Sequence, residues 1–367
     1  MLLLGGKIGH VGRVDPGAVR ALGLECRVID ADGCLVTPGL VDPHEHLLGG
    51  SGESGFASQT PEIFLRELVS AGITSVVGCL GVDTTMKTLA GLLGRVKGLR
   101  AEGIGAWMWT GGYNVPPTTV LGTIRNDVMF LDEVIGAGEV AIADARATEP
   151  DPRELAKVVH DAYVGGILSG KAGVTHLHVG EGERRLACLR ELLDRTRFTI
   201  EPSWLYATHV QRNERLLGEA VELAHRGIAL DFDVAAHDLP RWLARYRELG
   251  GPLDRLTFSS DADGAAPGTL LSQFSEAVRE ARVPLEEALP HVTTNPAAIL
   301  RLPGKGTVEP GRDADVLVLE PDTLRPVHVI AGGKRFVVDG EMAVEEEFLK
   351  ESDRSVVLEG KRARRGA

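Results

Sequence analysis

Cysteine is scarce in this chain of 367 residues, and long apolar runs and basic patches are scarcer still. The four cysteines, Cys26, Cys34, Cys79 and Cys188, are scattered and form no C-x-x-C pair. That argues against a disulfide framework and fits a reduced cytoplasm. No apolar stretch approaches the roughly 20 residues that span a bilayer, so no membrane partner is expected. The opening "MLLLGGKIGHVG" has too short an apolar run and no cationic lead, so no signal peptide is expected there. Positive charge is in deficit, with a formal net charge of -12. Basic residues cluster only in the tail, "GKRARRGA", read here as a solvated end, and no nucleic-acid binding by the body of the chain is expected.

What is present is an ordinary globular composition, 43% hydrophobic and 25% charged. The length suits a barrel of about 250 residues plus a smaller unit. Short β-rich apolar runs alternate with helical patterns from about residue 41 to residue 305. They are "LVDPHEH" (40–46), "ITSVVGCL" (73–80), "IGAWMWT" (104–110), "EVAIAD" (139–144), "GVTHLHVG" (173–180), "LYATHV" (205–210), "GIALDFD" (227–233) and "LTFSSD" (256–261). Between them lie segments such as "RNERLLGEAVELAHRG", whose apolar residues recur at three and four positions. Continuous apolar strands, each followed by a helix, indicate a parallel sheet covered by helices, and eight such units close into a (β/α)8 TIM-type barrel. A doubly wound open sheet is the competing fold, but no glycine fingerprint for a dinucleotide is present. Both ends read differently, as short β runs separated by Gly and Asp-Gly turns. Residues 1–40 and 306–367 are expected to combine into one small β-sandwich domain beside the barrel of residues 41–305.

Polar residues fall at the ends of the apolar runs, where a barrel carries its chemistry. His44 and His46 close the first run two positions apart, so both imidazoles face one way. His178 ends the fifth run, His209 the sixth and Asp261 the eighth. Four imidazoles and one carboxylate converging at one mouth make a zinc-type site with nitrogen and oxygen ligands. His176 shares the face of His178 and is a lesser candidate. The remaining histidines, such as His10, His160, His225 and His237, fall on helices or loops and read as structural or solvent-exposed.

With these residues placed, "DADGCLVTPGLVDPHEH" and "PGRDADVLVLE" resemble the amidohydrolase superfamily. The stretches "LLGGSGESG", "AWMWTGGYNVP", "VGGILSGKAGVTHLHVGEG", "THVQRN" and "SSDADG" resemble, within it, the isoaspartyl (β-aspartyl) dipeptidases. The resemblance implies a cytoplasmic enzyme of homo-oligomeric assembly with two Zn2+ ions per subunit, other divalent metals being acceptable to the same ligands. It would cleave a small β-aspartyl dipeptide by a zinc-activated hydroxide. His44 and His46 would bind one zinc, and His178 and His209 the other. Asp261 would bind the first zinc and act as acid and base, while Tyr113 would polarise the scissile carbonyl. Arg146 and Arg212 would hold the substrate's carboxylates and Glu53 its ammonium group, within the loop of Gly50, Ser51 and Gly52.

The chain departs from that pattern at three places. The family commonly bridges its metals with a carbamylated lysine at the end of the fourth strand. Here the stretch "VIGAGEVAIADARA" has no lysine, and Glu139 takes the place, either bridging the metals or opening the strand toward solvent. A threonine of the family is Val82, and a serine beyond the eighth strand is Ala265. Each loses a hydroxyl, which puts the dipeptide preference in question. The alternatives are a related hydrolase of a cyclic amide or N-acyl amino acid, and a scaffold that keeps the fold without the catalysis.

Overall fold

The computed structural model describes residues 1–235 and 238–352. His237 and the basic tail lie outside the described residues. Eight strands run parallel and pair in chain order: Leu40–Glu45, Ile73–Gly78, Gly105–Thr110, Val134–Ile142, Val174–Val179, Leu205–Thr208, Ala229–Asp233 and Leu256–Ser259. Nearly every residue in them is buried, because helices cover the outside and side chains fill the inside. That double burial is why the sequence shows continuous apolar runs where a half-exposed strand would alternate. The last strand returns to the first. The Asp261 N–H donates to the His44 carbonyl at 3.1 Å, and the Ser260 N–H to the buried Asp42 carboxylate at 3.3 Å. The expected (β/α)8 barrel is thus the fold.

The helices follow from their apolar spacing and their caps. Glu214–His225 buries Leu216, Leu217, Ala220, Val221, Leu223 and Ala224, a stripe at three- and four-residue intervals. Asn213 starts it, its side-chain oxygen accepting from the Leu216 N–H at 2.9 Å. The short loop before that cap carries His209 and Arg212, so strand end and capped helix hold the loop from both sides. The longest helix, Pro152–Ser169, opens on a reciprocal Asp151–Glu154 capping box and ends at Gly170, whose φ is 74°.

Both chain ends contribute to a second, antiparallel sheet of five strands, ordered Glu341–Met342, Lys334–Val338, Pro326–Ala331, Val316–Leu319 and Leu35–Pro38. One of its faces sends Leu317, Val329 and Phe336 into the main core. Against the other lies a hairpin, Leu2–Leu4 with Lys7–His10, where Ile8 packs on Ala314, Val316 and Ile330, with Leu3, Ile29 and Val308 beside them. Among the described residues, the strands of the second leaf of the expected sandwich are those of a single hairpin. Beyond the sheet, buried Glu346 accepts from the Leu65 and Arg66 N–H groups at 3.3 and 3.4 Å, capping a barrel helix from the far end of the chain.

Two local expectations need correction. The fourth strand begins at Val134, five residues before the run at Glu139 that marks it in the sequence, because glycines at 136 and 138 dilute its apolar signal. His10 ends a strand, where a helix or loop was expected, and it is exposed there as expected.

Candidate active site

The C-terminal ends of the barrel strands surround a cavity of about 460 Å³. His46, Glu53, Tyr113, Arg146, His178, His209, Arg212 and Asp261 line it, with Gly50, Ser51 and Gly52 on one rim. His178 lies within its strand, whereas His46, His209 and Asp261 lie one or two residues past theirs. His209 and Asp261 have φ of 62° and 46°. Such left-handed backbone is costly for residues with a side chain, and it turns both groups inward where an extended strand would carry them past the mouth.

Glu139 stands at the centre, fully buried in the middle of its strand. Its Oε1 lies 2.7 Å from His178 Nδ1 and 3.3 Å from His209 Nε2. Its Oε2 lies 3.5 Å from His44 Nε2 and 3.9 Å from His46 Nε2. Asp261 Oδ1 completes the second group, 3.3 Å from His44 Nε2 and 3.2 Å from His46 Nε2. The solvent-facing alternative for Glu139 is thereby excluded. His44 Nε2 and Glu139 Oε2 are buried and have no hydrogen-bond partner. Buried polar atoms of this kind cost free energy unless something satisfies them, and a cation between these donors would do so. The residues present fit a pair of divalent ions sharing Glu139.

The electrostatics agree. Burial alone would raise Glu139, but His44 and His178 hold it well below the usual carboxylate range. His44 and His46 do the same for Asp261, against burial. Burial would lower His44 and His46, yet Cys79 and Asp261 push both well above the usual imidazole range. The site is built to keep carboxylates charged and to attract positive charge.

Three of the site histidines are also held from behind, two of them by residues that the sequence reading did not single out. Asp144 Oδ2 lies 2.9 Å from His178 Nε2, and Asp233 Oδ2 lies 2.8 Å from His209 Nδ1. His176, the lesser candidate, sits one layer below the ligands. Its Nε2 is 3.2 Å from His44 Nδ1, and its ring stacks on Trp109 at 4.9 Å. Such partners fix the tautomer and orientation of a ligating imidazole. The only sequence signal for them was position: Asp144 and Asp233 close the fourth and seventh runs, as the ligands close theirs.

The groups expected to read the substrate surround the mouth. Tyr113 Oη is 2.9 Å from His178 Nδ1, and burial raises its hydroxyl well above the usual phenol range. Arg146 grips Asp144 with two parallel bonds, Nε to Oδ1 at 2.9 Å and Nη2 to Oδ2 at 2.7 Å. Its Nη1 donates to Glu53 Oε1 at 2.6 Å, so this acid and this cation are paired with each other. Arg212, which lines the cavity, donates from Nε to the Val179 carbonyl at 3.1 Å, and its Nη1 lies 3.7 Å from Glu181 Oε1. Gly52 has φ of 75°, and a Cβ there would sit 2.5 Å from the Gln59 nitrogen, so the loop requires glycine. Val82 lines the cavity together with Asp263 and Gly264, while Ala265 falls just outside its lining.

Comparison with known proteins points the same way. A family profile described as "Amidohydrolase family" matches residues 250–339. A crystal structure of a β-aspartyl dipeptidase from Fervidobacterium islandicum AW-1 is 36% identical, with a TM-score of 0.87 over 93% of each chain. A structure of a β-aspartyl dipeptidase from the same organism with a β-Asp-Leu dipeptide is 35% identical, with a TM-score of 0.81 over 86% of this chain and 88% of that one. Among curated proteins, an imidazolonepropionase of Ruegeria pomeroyi is 26% identical, covering 77% of this chain and 78% of its own. A dihydroorotase of Pelotomaculum thermopropionicum is 25% identical, covering 89% and 86%. With the barrel, the shared carboxylate and this likeness over nearly its whole length, the chain belongs to the β-aspartyl dipeptidase family of the amidohydrolase superfamily.

Proposed function

We propose that the chain hydrolyses β-aspartyl dipeptides with two divalent ions, zinc by the nitrogen and oxygen character of the donors. His44, His46 and Asp261 would hold one ion, His178 and His209 the other, and Glu139 both. The observation that carries this reading is Glu139, whose two oxygens face two separate histidine groups. Bound there, the ions supply Lewis acidity toward a carbonyl and toward water.

The chain's own residues do the rest. Asp261 takes a proton from the attacking water and hands it to the leaving amine nitrogen. The Tyr113 hydroxyl, kept protonated by burial, donates to the carbonyl oxygen as charge builds on it. A β-aspartyl dipeptide brings one ammonium and two carboxylates. Glu53 meets the ammonium, and the forks of Arg146 and Arg212 meet the carboxylates. Glu53 and Arg146 pair with each other, and Arg146 also with Asp144, so the substrate's ammonium and one carboxylate would take the place of the Glu53–Arg146 pair while its second carboxylate meets Arg212.

We also read the chain as a cytoplasmic homo-oligomer divided at residues 40 and 306, its four described cysteines being free. Among the described residues, no helix is long and apolar enough to cross a membrane. Turnover of a panel of β-Asp-Xaa dipeptides by zinc-loaded protein tests the activity. The curated relatives support a second reading, a cyclic-amide hydrolase. Silence across the panel with turnover of a cyclic amide would favour it. Less than one equivalent of bound metal after zinc loading would favour the non-catalytic scaffold.

A further inference from the structure

Three of the four site histidines have a histidine or carboxylate behind them, at His176, Asp144 and Asp233. His46 has instead the sulfur of Cys79, a buried residue just past the second barrel strand. Cys79 Sγ lies 3.8 Å from His46 Nδ1 and 4.0 Å from His46 Nε2. A thiol that merely oriented the ring from behind would lie on the Nδ1 axis, much nearer one nitrogen than the other. This sulfur is nearly equidistant from the two nitrogens, so it lies off the ring between them, and its Sγ–H also reaches the Glu45 carbonyl at 3.6 Å. Cys79 Sγ and ligand atoms of His44, His46 and Glu139 all lie within 4.8 Å of one another. Two of those residues, His44 at Nε2 and Glu139 at Oε2, carry a buried polar atom without a hydrogen-bond partner. The strand alternation agrees, since Val77 and Cys79 both point into the barrel with Val41 and Trp109.

We propose that Cys79 is a ligand of the first metal position, adding sulfur to the imidazoles of His44 and His46 and the carboxylates of Glu139 and Asp261. This rests on the two-metal reading above and goes beyond it. On coordination the Sγ–H bond breaks, a metal–sulfur bond forms, and the proton leaves to solvent. No electron changes hands. Thiolate favours Zn2+, Co2+ and Cd2+ over Mg2+ and Mn2+, so the first position becomes selective for softer ions while the second, lined by nitrogen and oxygen, does not.

The test needs no variant in its first part. X-ray absorption on the cobalt-loaded full chain should show a sulfur scatterer at about 2.3 Å, the usual thiolate distance. The same sample should show a sulfur-to-cobalt charge-transfer band in the near ultraviolet. Cys79→Ser and Cys79→Ala should abolish the band, and Cys188→Ser, at the other buried cysteine, should keep it. Two equivalents of cobalt with neither scatterer nor band overturn the proposal and leave the two-metal reading standing. A band that survives Cys79→Ser overturns it as well. Less than one equivalent of cobalt overturns both.

Discussion

Asp233 sits behind His209 with its Oδ2 2.8 Å from Nδ1 and also accepts from Gln211 at 2.9 Å, so His209 is left with Nε2 toward Glu139. Asp233→Ala should lower zinc affinity or activity by about 10–100-fold, as loss of such supporting partners does, and competition with a chelating dye would measure it. Tyr113→Phe removes a hydroxyl and no metal donor. It should cut kcat by roughly 10²–10³-fold, the usual cost of one oxyanion donor, with zinc content by elemental analysis unchanged. His209 gives a pH dependence. Burial would lower it, but the Asp233 charge and hydrogen bond, with Glu139, raise it from 6.5 to about 9. In chelator-stripped protein, its protonation stabilises the fold fully below pH 6.5, and that contribution fades as the pH rises through about 9. Tm of stripped protein should therefore fall over that window, and a flat profile would count against the pairing. His44, His46, His178, His209 and Asp261 were legible because each follows an apolar run at a barrel mouth. Asp144 and Asp233 were not, because a residue that supports a ligand from behind has no spacing rule of its own.

At the scale of elements, the strands announced themselves wherever burial on both faces removed polar residues from the run. The fourth strand did so only in part, since Gly136 and Gly138 thin its apolar character, and its start was misread for that reason. The glycines have a cause. A Cβ at Gly136 would meet the Val174 carbonyl oxygen at 2.2 Å, and one at Gly138 would meet His176 Cβ at 2.7 Å. Close approach of the fourth and fifth strands thus brings Glu139 against His178, and it replaces by backbone proximity some of the reach that glutamate lacks beside a carbamylated lysine. Asn213 belongs to this scale too, because it closes the loop that carries His209 and Arg212. Asn213→Ala should cost about 1 kcal/mol of stability, the ordinary worth of a helix N-cap, read as a lowered Tm of zinc-loaded protein.

For the whole molecule, chain segments about 280 residues apart pair in one sheet, and Glu346 pins that sheet's C-terminal extension to the start of a barrel helix. The sequence displayed the two β-rich ends but not their unequal leaves, because a hairpin and a sheet share the same turn chemistry. The mouth behaves as one unit as well. Asp144 holds Arg146 through both guanidinium bonds and His178 through the same Oδ2, so a single carboxylate serves the group that reads the substrate and the group that holds an ion. Any ligand that draws Arg146 off Asp144 changes the charge felt by His178. Thermodynamic reciprocity then requires ion and ligand to alter each other's affinity by one common factor. Titrating zinc with and without free aspartate, and aspartate with and without zinc, should return equal ratios. In Asp144→Asn, where the shared charge is gone, both ratios should move toward one.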